Sequence, residues 1–395
     1  MAIETVRAGI VGAGFAGGFH YEALTKVNCA RVEVVGVQNR TPAKGRAFAA
    51  ERGIKAFDTL EALLDAVDVV HVCTPAVAHE AVAVETLKRG KFAIIEKPLT
   101  GYFGDGTDAF HGERFDKQTA LEASLAAVER MLQAEADSEA KILYAENWVY
   151  APAVQKEREI IAKTGAQVLW LHGEEAHSGS HSPAYGFWKF SGGGSLMGKG
   201  CHPLTAALYL KAVEGRTRDG RPIVPAAVSC RTHNLSRIEG YRDCGHIRTD
   251  YHDIEDFCLV HVVFEDGTVA DIFASEVILG GVHNWLEVGA NNHRTVCHIN
   301  PNDAMRTYTP RGEHFRDVYT NEKIETKEGW AFTSPDEDWF TGYQQEVEAF
   351  YRTISLGDPP EPESDSRLAA NSISTIYSAY VSAQSAGAEV AVRSF

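Results

Sequence analysis

Val6-Arg7-Ala8-Gly9-Ile10-Val11-Gly12-Ala13-Gly14-Phe15-Ala16-Gly17 is the stretch whose reading decides the fold. Val6 to Val11 is a short, mostly apolar run that suits a buried strand. Phe19 to Val27 reads as a helix, and Val32 to Val37 is a second β-branched run. The G-x-G-x-x-G at Gly12, Gly14 and Gly17 therefore lies between a strand and a helix, inside a βαβ-sized unit, where the motif carries information. Gly12 allows the tight turn, Gly14 lets a pyrophosphate approach the backbone, and Gly17 lets the helix pack close to the strand. The helix N-terminus offers unpaired N–H groups to phosphates. Together with Phe15 and Ala16, these glycines are the expected dinucleotide loop.

The second strand ends Val37-Gln38-Asn39-Arg40, without the acid that usually meets an NAD ribose. Asn39 can bond a hydroxyl, and Arg40 can pair with a 2′-phosphate, so NADP stays open beside NAD. Strands and helices continue to alternate: Val67 to Val72 runs into Thr74-Pro75, Glu80 to Lys88 is helical, and Phe92 to Ile95 runs into Glu96-Lys97-Pro98. Near-continuous apolar strands between helices predict a parallel sheet covered on both faces. Ligands of such sheets bind beyond the carboxyl ends of the strands, where Thr74, Pro75 and Lys97 fall.

The chain has 395 residues, enough for two domains, and a net charge of −16. An acidic surface argues against nucleic acid as a partner. The seven cysteines form no C-x-x-C pair and read as free thiols of a reducing compartment. No apolar run is long enough for a membrane span, and a cytoplasmic location is the expectation. His246, His252, Asp253 and Glu255 cluster in sequence without a metal-site spacing, so no metal is expected.

In Gly12, Gly14 and Gly17, in Cys73-Thr74-Pro75 followed by His79, and in Glu96-Lys97-Pro98, the sequence resembles the Gfo/Idh/MocA oxidoreductase family. The likeness continues through Gly192-Gly193-Gly194, Gly200 and His202 to the closing helices around Phe350 and Tyr377 to Ala383. It implies an α/β chain: an N-terminal Rossmann domain, a doubly wound parallel sheet over residues 1–146, then a substrate-binding and oligomerisation α+β domain over 147–395 with a large, mostly antiparallel sheet. Gln167 to Glu174, Ala226 to His233, Phe257 to Phe264, Val269 to Val277 and Trp285 to Val288 read as its strands, with a hairpin at Glu265-Asp266-Gly267. Gly357 to Pro362 reads as a loop between two helices, and Thr100 to Lys117 as a long loop serving as a lid or an oligomer contact.

The resemblance also implies NAD(P), with NAD favoured, a carbohydrate or cyclitol substrate, and a homodimer or homotetramer. His79 and Glu96 join the cofactor set, while Lys97 and His202 become the catalytic pair, Lys97 holding or relaying the hydroxyl proton and His202 acting as base. One departure stands out: the family aspartate falls at Gly198, and Lys199 follows. His177, His181, Trp188 and Lys189 precede the glycine run, and Trp148 and Tyr150 follow the first domain. With Lys199 they are the expected substrate groups, aromatic rings for a sugar face and lysines for an anionic substituent. Two activities follow. One is hydride transfer at a hydroxyl-bearing carbon of a sugar, cyclitol or sugar acid. The alternative is an NAD-dependent, redox-neutral hydrolase of an anionic glycoside such as a sulfoquinovoside, through oxidation at carbon 3, elimination, water addition and re-reduction.

Overall fold

A computed structural model describes residues 5–107, 109–357 and 364–395. Six strands form the first sheet: β1 (Thr5–Val11), β2 (Arg31–Gln38), β3 (Lys55–Phe57), β4 (Val69–Val72), β5 (Phe92–Glu96) and β6 (Ile142–Ala145). Their order is β3-β2-β1-β4-β5-β6 and every pairing is parallel. The chain switches direction across the sheet between β1 and β4, the place where doubly wound folds open a crevice. β4 and β6 are buried at every position, as strands covered on both faces must be. The covering helices are α1 (Phe15–Leu24), α2 (Pro42–Arg52), α3 (Leu60–Leu64), α4 (His79–Lys88) and α5 (Lys117–Ala136).

Helix α1 begins at Phe15, earlier than the composition predicts, with Gly14 as its extended N-cap. Ala16-Gly17-Gly18 is a weak helix former, but packing decides here. A Cβ at Gly17 would lie 2.3 Å from the Gly12 carbonyl oxygen, so only glycine lets the helix sit this close. Gly12 itself has φ +110°, and a Cβ there would lie 2.4 Å from the Cys73 oxygen.

After α6 (Asn147–Tyr150) and α7 (Pro152–Thr164), strand β7 (Val168–Ala176) opens the second sheet. The short α8 (Trp188–Ser191) and a π-helical turn over Leu196–Gly200 lead into α9 (Cys201–Asp219). Then come β8 (Pro225–His233), β9 (Phe257–Phe264), β10 (Val269–Ser275), β11 (His283–Ala290) and β12 (Arg294–Asn300). A separate ribbon pairs β13 (Arg306–Thr309) with β14 (Gly329–Phe332). Helices α10 (Glu337–Thr341), α11 (Tyr343–Leu356) and α12 (Ser366–Gln384) precede the last strand, β15 (Val390–Ala391). The seven-stranded order is β12-β11-β7-β10-β9-β8-β15, antiparallel except for β7 beside β10. One face packs on α9 and α12. The other is open, and along β9 the exposed Leu259 and His261 alternate with the buried Cys258, Val260 and Val262.

The closing helices bind the two domains together. α12 packs on α5 as well as α9, and the Tyr144 N–H donates to the Ser364 carbonyl at 3.0 Å. The predicted loop over Gly357 to Pro362 lies, beyond Gly357, outside the described residues. The 100–117 segment folds onto the second domain. Its Tyr102, Phe110 and Phe115 rings cluster together, and the Trp188 indole N–H donates to the Tyr102 carbonyl at 2.9 Å.

Candidate active site

Two adjoining cavities lie beyond the carboxyl ends of β1, β4 and β5. The first, about 350 Å³, is lined by Gly14, Phe15, Ala16, Thr74, Pro75 and Lys97, with Cys73, Glu96, Pro98 and Tyr185 among their neighbours. The second, about 620 Å³, is lined by Trp148, Glu175, His177, His181 and His202 on its inner side. Phe15, Phe19 and Tyr343 belong to both walls, so the two spaces adjoin across one aromatic partition. Phe19 stacks on Tyr343 with ring centroids 5.2 Å apart, and Phe15 meets Phe19 edge-on.

The glycine loop has the form a dinucleotide needs. A Cβ at Gly14 would meet nothing within 4 Å, so that backbone faces open space. The first N–H groups of α1 point the same way, and their partial positive charge favours phosphate. Asn39 turns out to hold the loop: its Oδ1 accepts the Ala13 N–H at 2.9 Å and its Nδ2 donates to the Thr41 carbonyl. Arg40 is exposed beside it. His79 is buried, its two ring nitrogens 2.9 Å from the Pro98 and Thr74 carbonyls, so it joins the β4 and β5 loops and stays clear of both cavities.

The Lys97–Pro98 bond is cis, and the Lys97 ammonium crosses to the second domain, donating to the Gly198 carbonyl at 2.8 Å. Burial opposes its charge, but nearby groups including the Glu175 and Glu146 carboxylates outweigh that and raise its pKa well above the usual lysine value. Glu96 turns away from this ammonium. Its carboxylate accepts the backbone N–H of Lys97 and meets His20 Nε2 at 2.9 Å.

His202 stands on the first turn of α9, facing the larger cavity. Its Nδ1 meets Glu146 Oε1 at 2.5 Å, and its Nε2 lies 3.9 Å from Glu175 Oε2. The Trp148 ring runs nearly parallel to the imidazole, with centroids 6.1 Å apart. Glu146 follows the last residue of β6, and Glu175 is the penultimate residue of β7. Neither belonged to the expected set. Glu146 obeys the strand-end rule that singled out Lys97, whereas Glu175 has no sequence signal beyond its place in a strand. Burial raises the Glu175 carboxyl pKa, with the His202, Lys97 and Lys199 charges opposing.

Gly198 has no side chain to meet His202, and Glu146 is the histidine's carboxylate partner instead. A Cβ at 198 would lie 3.1 Å from the Tyr185 ring, which fills the space a side chain there would enter. Lys199 does not line the larger cavity. It is 1% exposed, ion-paired with Glu276 and bonded to Ser180 Oγ. The Gly192–Gly194 run serves the fold: Cβ atoms at Gly193 and Gly194 would lie 2.2 and 2.0 Å from the Tyr380 hydroxyl and the Glu255 carbonyl.

Of the remaining expected substrate groups, Trp148, His177 and His181 line the larger cavity, and Tyr150, Trp188 and Lys189 do not. His177 Nδ1 accepts the Gly179 N–H at 3.1 Å, which leaves its Nε2–H as a donor. Burial, with the Lys199 and Lys323 charges, lowers its pKa and keeps the ring neutral. Lys189 is exposed, beside the Phe190 ring. Of the acids and histidines weighed for metal, Asp253 accepts the Gly112 and Trp188 N–H groups, and Glu255 accepts those of Gly194 and Leu196. His252 stacks on Phe187, and His246 is exposed.

A dinucleotide-type Rossmann domain thus faces a second-domain cavity that holds a carboxylate-bound histidine. Residues 6–120 match the Gfo/Idh/MocA family model, described as an oxidoreductase family with an NAD-binding Rossmann fold. Over 105 residues the chain is 39% identical to inositol 2-dehydrogenase 1 of Saccharopolyspora erythraea, covering 26% of this chain and 31% of that protein. Over 95 residues it is 34% identical to UDP-N-acetylglucosamine 3-dehydrogenase of Acidithiobacillus ferrooxidans, covering 24% of this chain and 29% of the relative. The matched stretch thus spans about a third of these curated relatives. The fold extends further: GenD2 from gentamicin A biosynthesis, solved with NAD, superposes over 100% of this chain and 98% of its own, with a TM-score of 0.78 at 22% identity. Myo-inositol dehydrogenase from Lactobacillus casei, solved with NAD(H) and myo-inositol, covers 99% of this chain and 98% of its own, with a TM-score of 0.71 at 17% identity.

Proposed function

We propose that this chain is an NAD-dependent dehydrogenase that oxidises a ring hydroxyl of a sugar or cyclitol, or reduces the matching ketone. The observation that carries this reading is that the two cavities share the wall of Phe15, Phe19 and Tyr343, with Lys97 on one side and His202 on the other. The nicotinamide, when bound in the smaller cleft, supplies the hydride acceptor. The glycine loop and the α1 N-terminus hold the pyrophosphate, and Thr74, Pro75 and Phe15 wall the ring end.

Glu146 orients the imidazole. A carboxylate at Nδ1 fixes the proton there and leaves the Nε2 lone pair facing the cavity as proton acceptor. Nε2 takes the proton of the hydroxyl being oxidised. Lys97 keeps two N–H directions beyond its bond to Gly198, and its ammonium favours the developing negative charge on the same oxygen. Glu175 accepts a hydrogen bond from a second, neighbouring hydroxyl.

The anionic-glycoside hydrolase reading drew on a free cation at Lys199. That ammonium is paired with Glu276, so it offers no free anion site, and the missing aspartate at Gly198 is the ground that stays with the hydrolase reading. The exposed Leu169, Leu259 and Val296 of the second sheet support a homo-oligomer assembled through that face.

The test is to incubate the protein with NAD and a panel of inositols, sugars and aryl glycosides, following reduced nicotinamide and aglycone together. Reduced nicotinamide is expected, and Lys97→Met should lower its rate at least ~100-fold with NAD binding kept. Aglycone release without net absorbance change overturns the reading.

A further inference from the structure

The outer wall of the larger cavity has a chemistry that the redox reading does not use. Glu322, Asp336, Glu337 and Asp338 line it, with Glu175 deeper inside, and no lysine or arginine is among the described lining residues. The Lys199 and Lys323 charges reach Glu322, but both ammonium groups have partners of their own: Lys199 is paired with Glu276, and Lys323 donates to the Gly179 carbonyl. Independently of this wall, two buried acceptors line the same space without a hydrogen bond. Glu175 Oε2 and Asn284 Oδ1 have no protein donor among the described residues, their residues are each 8% exposed, and the redox reading gives a hydroxyl to Glu175 and nothing to Asn284. Orphaned buried acceptors call for a ligand rich in donors.

We infer that the substrate carries an ammonium group, as an amino sugar or aminocyclitol does, and that the carboxylates of the outer wall receive it while His202 meets the reacting hydroxyl. This rests on the dehydrogenase reading for the position of the reacting hydroxyl only. An ammonium brings three donors and no acceptor, which suits a wall of acceptors. A cavity of about 620 Å³ has room for a ring and an amino-bearing extension. Burial raises the carboxyl pKa values of Glu322, Glu337 and Asp338, with the Lys323 and Lys199 charges opposing it at Glu322 and the Glu322 charge adding to it at Glu337. The chain's net charge of −16 also draws a cationic solute toward it. A sulfonated sugar, a sugar acid or a nucleoside diphosphate sugar meets the same wall as a like charge.

The test is calorimetric binding to the NAD-loaded protein, which needs no turnover. The probes are glucosamine against glucose and glucuronate, and scyllo-inosamine against scyllo-inositol. At least one amine is expected to bind at least ~10-fold tighter than its hydroxyl counterpart at low salt, with the advantage shrinking as salt rises. Asp338→Asn and Glu322→Gln, made separately, should each reduce the amine-to-hydroxyl ratio. Equal or weaker binding of both amines, preference for glucuronate, or no binding of any probe overturns the inference. Tight amine binding with no reduced nicotinamide from any substrate would sink the dehydrogenase reading alone. Oxidation of neutral rings without amine preference would sink this inference alone.

Discussion

His202 Nδ1 and Glu146 Oε1 meet at 2.5 Å in the wall between the two domains, the histidine on α9 and the glutamate just past β6. The bond sets which ring nitrogen is free, so it should matter for rate more than for binding. Replacing His202 by Ala is expected to lower kcat by ~10²–10⁴-fold. Glu146→Gln should lower it by about tenfold or more, because an amide holds the tautomer less firmly. Both variants should bind NAD normally. Steady-state kinetics with a fluorescence titration of NAD checks this, and unchanged kcat in either variant contradicts the assignment.

The three loop glycines should separate by experiment. Gly17→Ala forces a Cβ to within 2.3 Å of the Gly12 oxygen, so it should cost about 2 kcal/mol or more in stability. Gly14→Ala meets no protein atom within 4 Å and should leave stability nearly unchanged while weakening NAD binding. Thermal unfolding and NAD titration of the two variants give the comparison. An equal loss of stability in both would contradict it.

Cofactor choice turns on the end of β2. Asn39→Asp keeps an acceptor for the Ala13 N–H and adds a negative charge where a 2′-phosphate would approach. The ratio of NADP to NAD dissociation constants should rise at least ~10-fold, the scale of one lost charged contact. An unchanged ratio would place the adenosine ribose elsewhere.

Stability should depend on pH through Glu255. Burial raises its carboxyl pKa to about 7, against the pull of the Tyr380, Gly194 and Leu196 donors. The folded chain therefore holds a proton that the unfolded chain releases near pH 4.3. This contribution favours the fold most below that value and is lost as pH rises toward about 7, by at most ~3 kcal/mol. Urea unfolding from pH 4.5 to 7.5 should show a steeper decline in the native chain than in Glu255→Gln. Parallel profiles would remove Glu255 as the source.

Much of the first domain is legible in residue order, because its signals are local. Gly12, Gly14 and Gly17 announce the loop, and apolar runs ending at Thr74 and Lys97 mark the crevice. The second domain is less so. β12 and the β13–β14 ribbon went unrecognised, since their residues alternate weakly and their pairing partners are distant. Glu175 and the wall from Glu322 to Asp338 look like ordinary surface acids until the chain folds. Lys199 shows the converse: a cation beside the glycine run in sequence is spent on Glu276 in space.

The sequence by itself determined the Rossmann sheet, the place of the dinucleotide loop and the position of Lys97 at a strand end, because backbone geometry and strand ends are properties of short stretches, whereas the catalytic roles proposed for Lys97 and His202 come from the family resemblance. Only the tertiary structure decided which carboxylates reach His202, where Lys199 points, and what charge lines the larger cavity. Those depend on side chains separated by up to 163 residues, from Glu175 to Asp338, which come to line one shared space only when the chain folds.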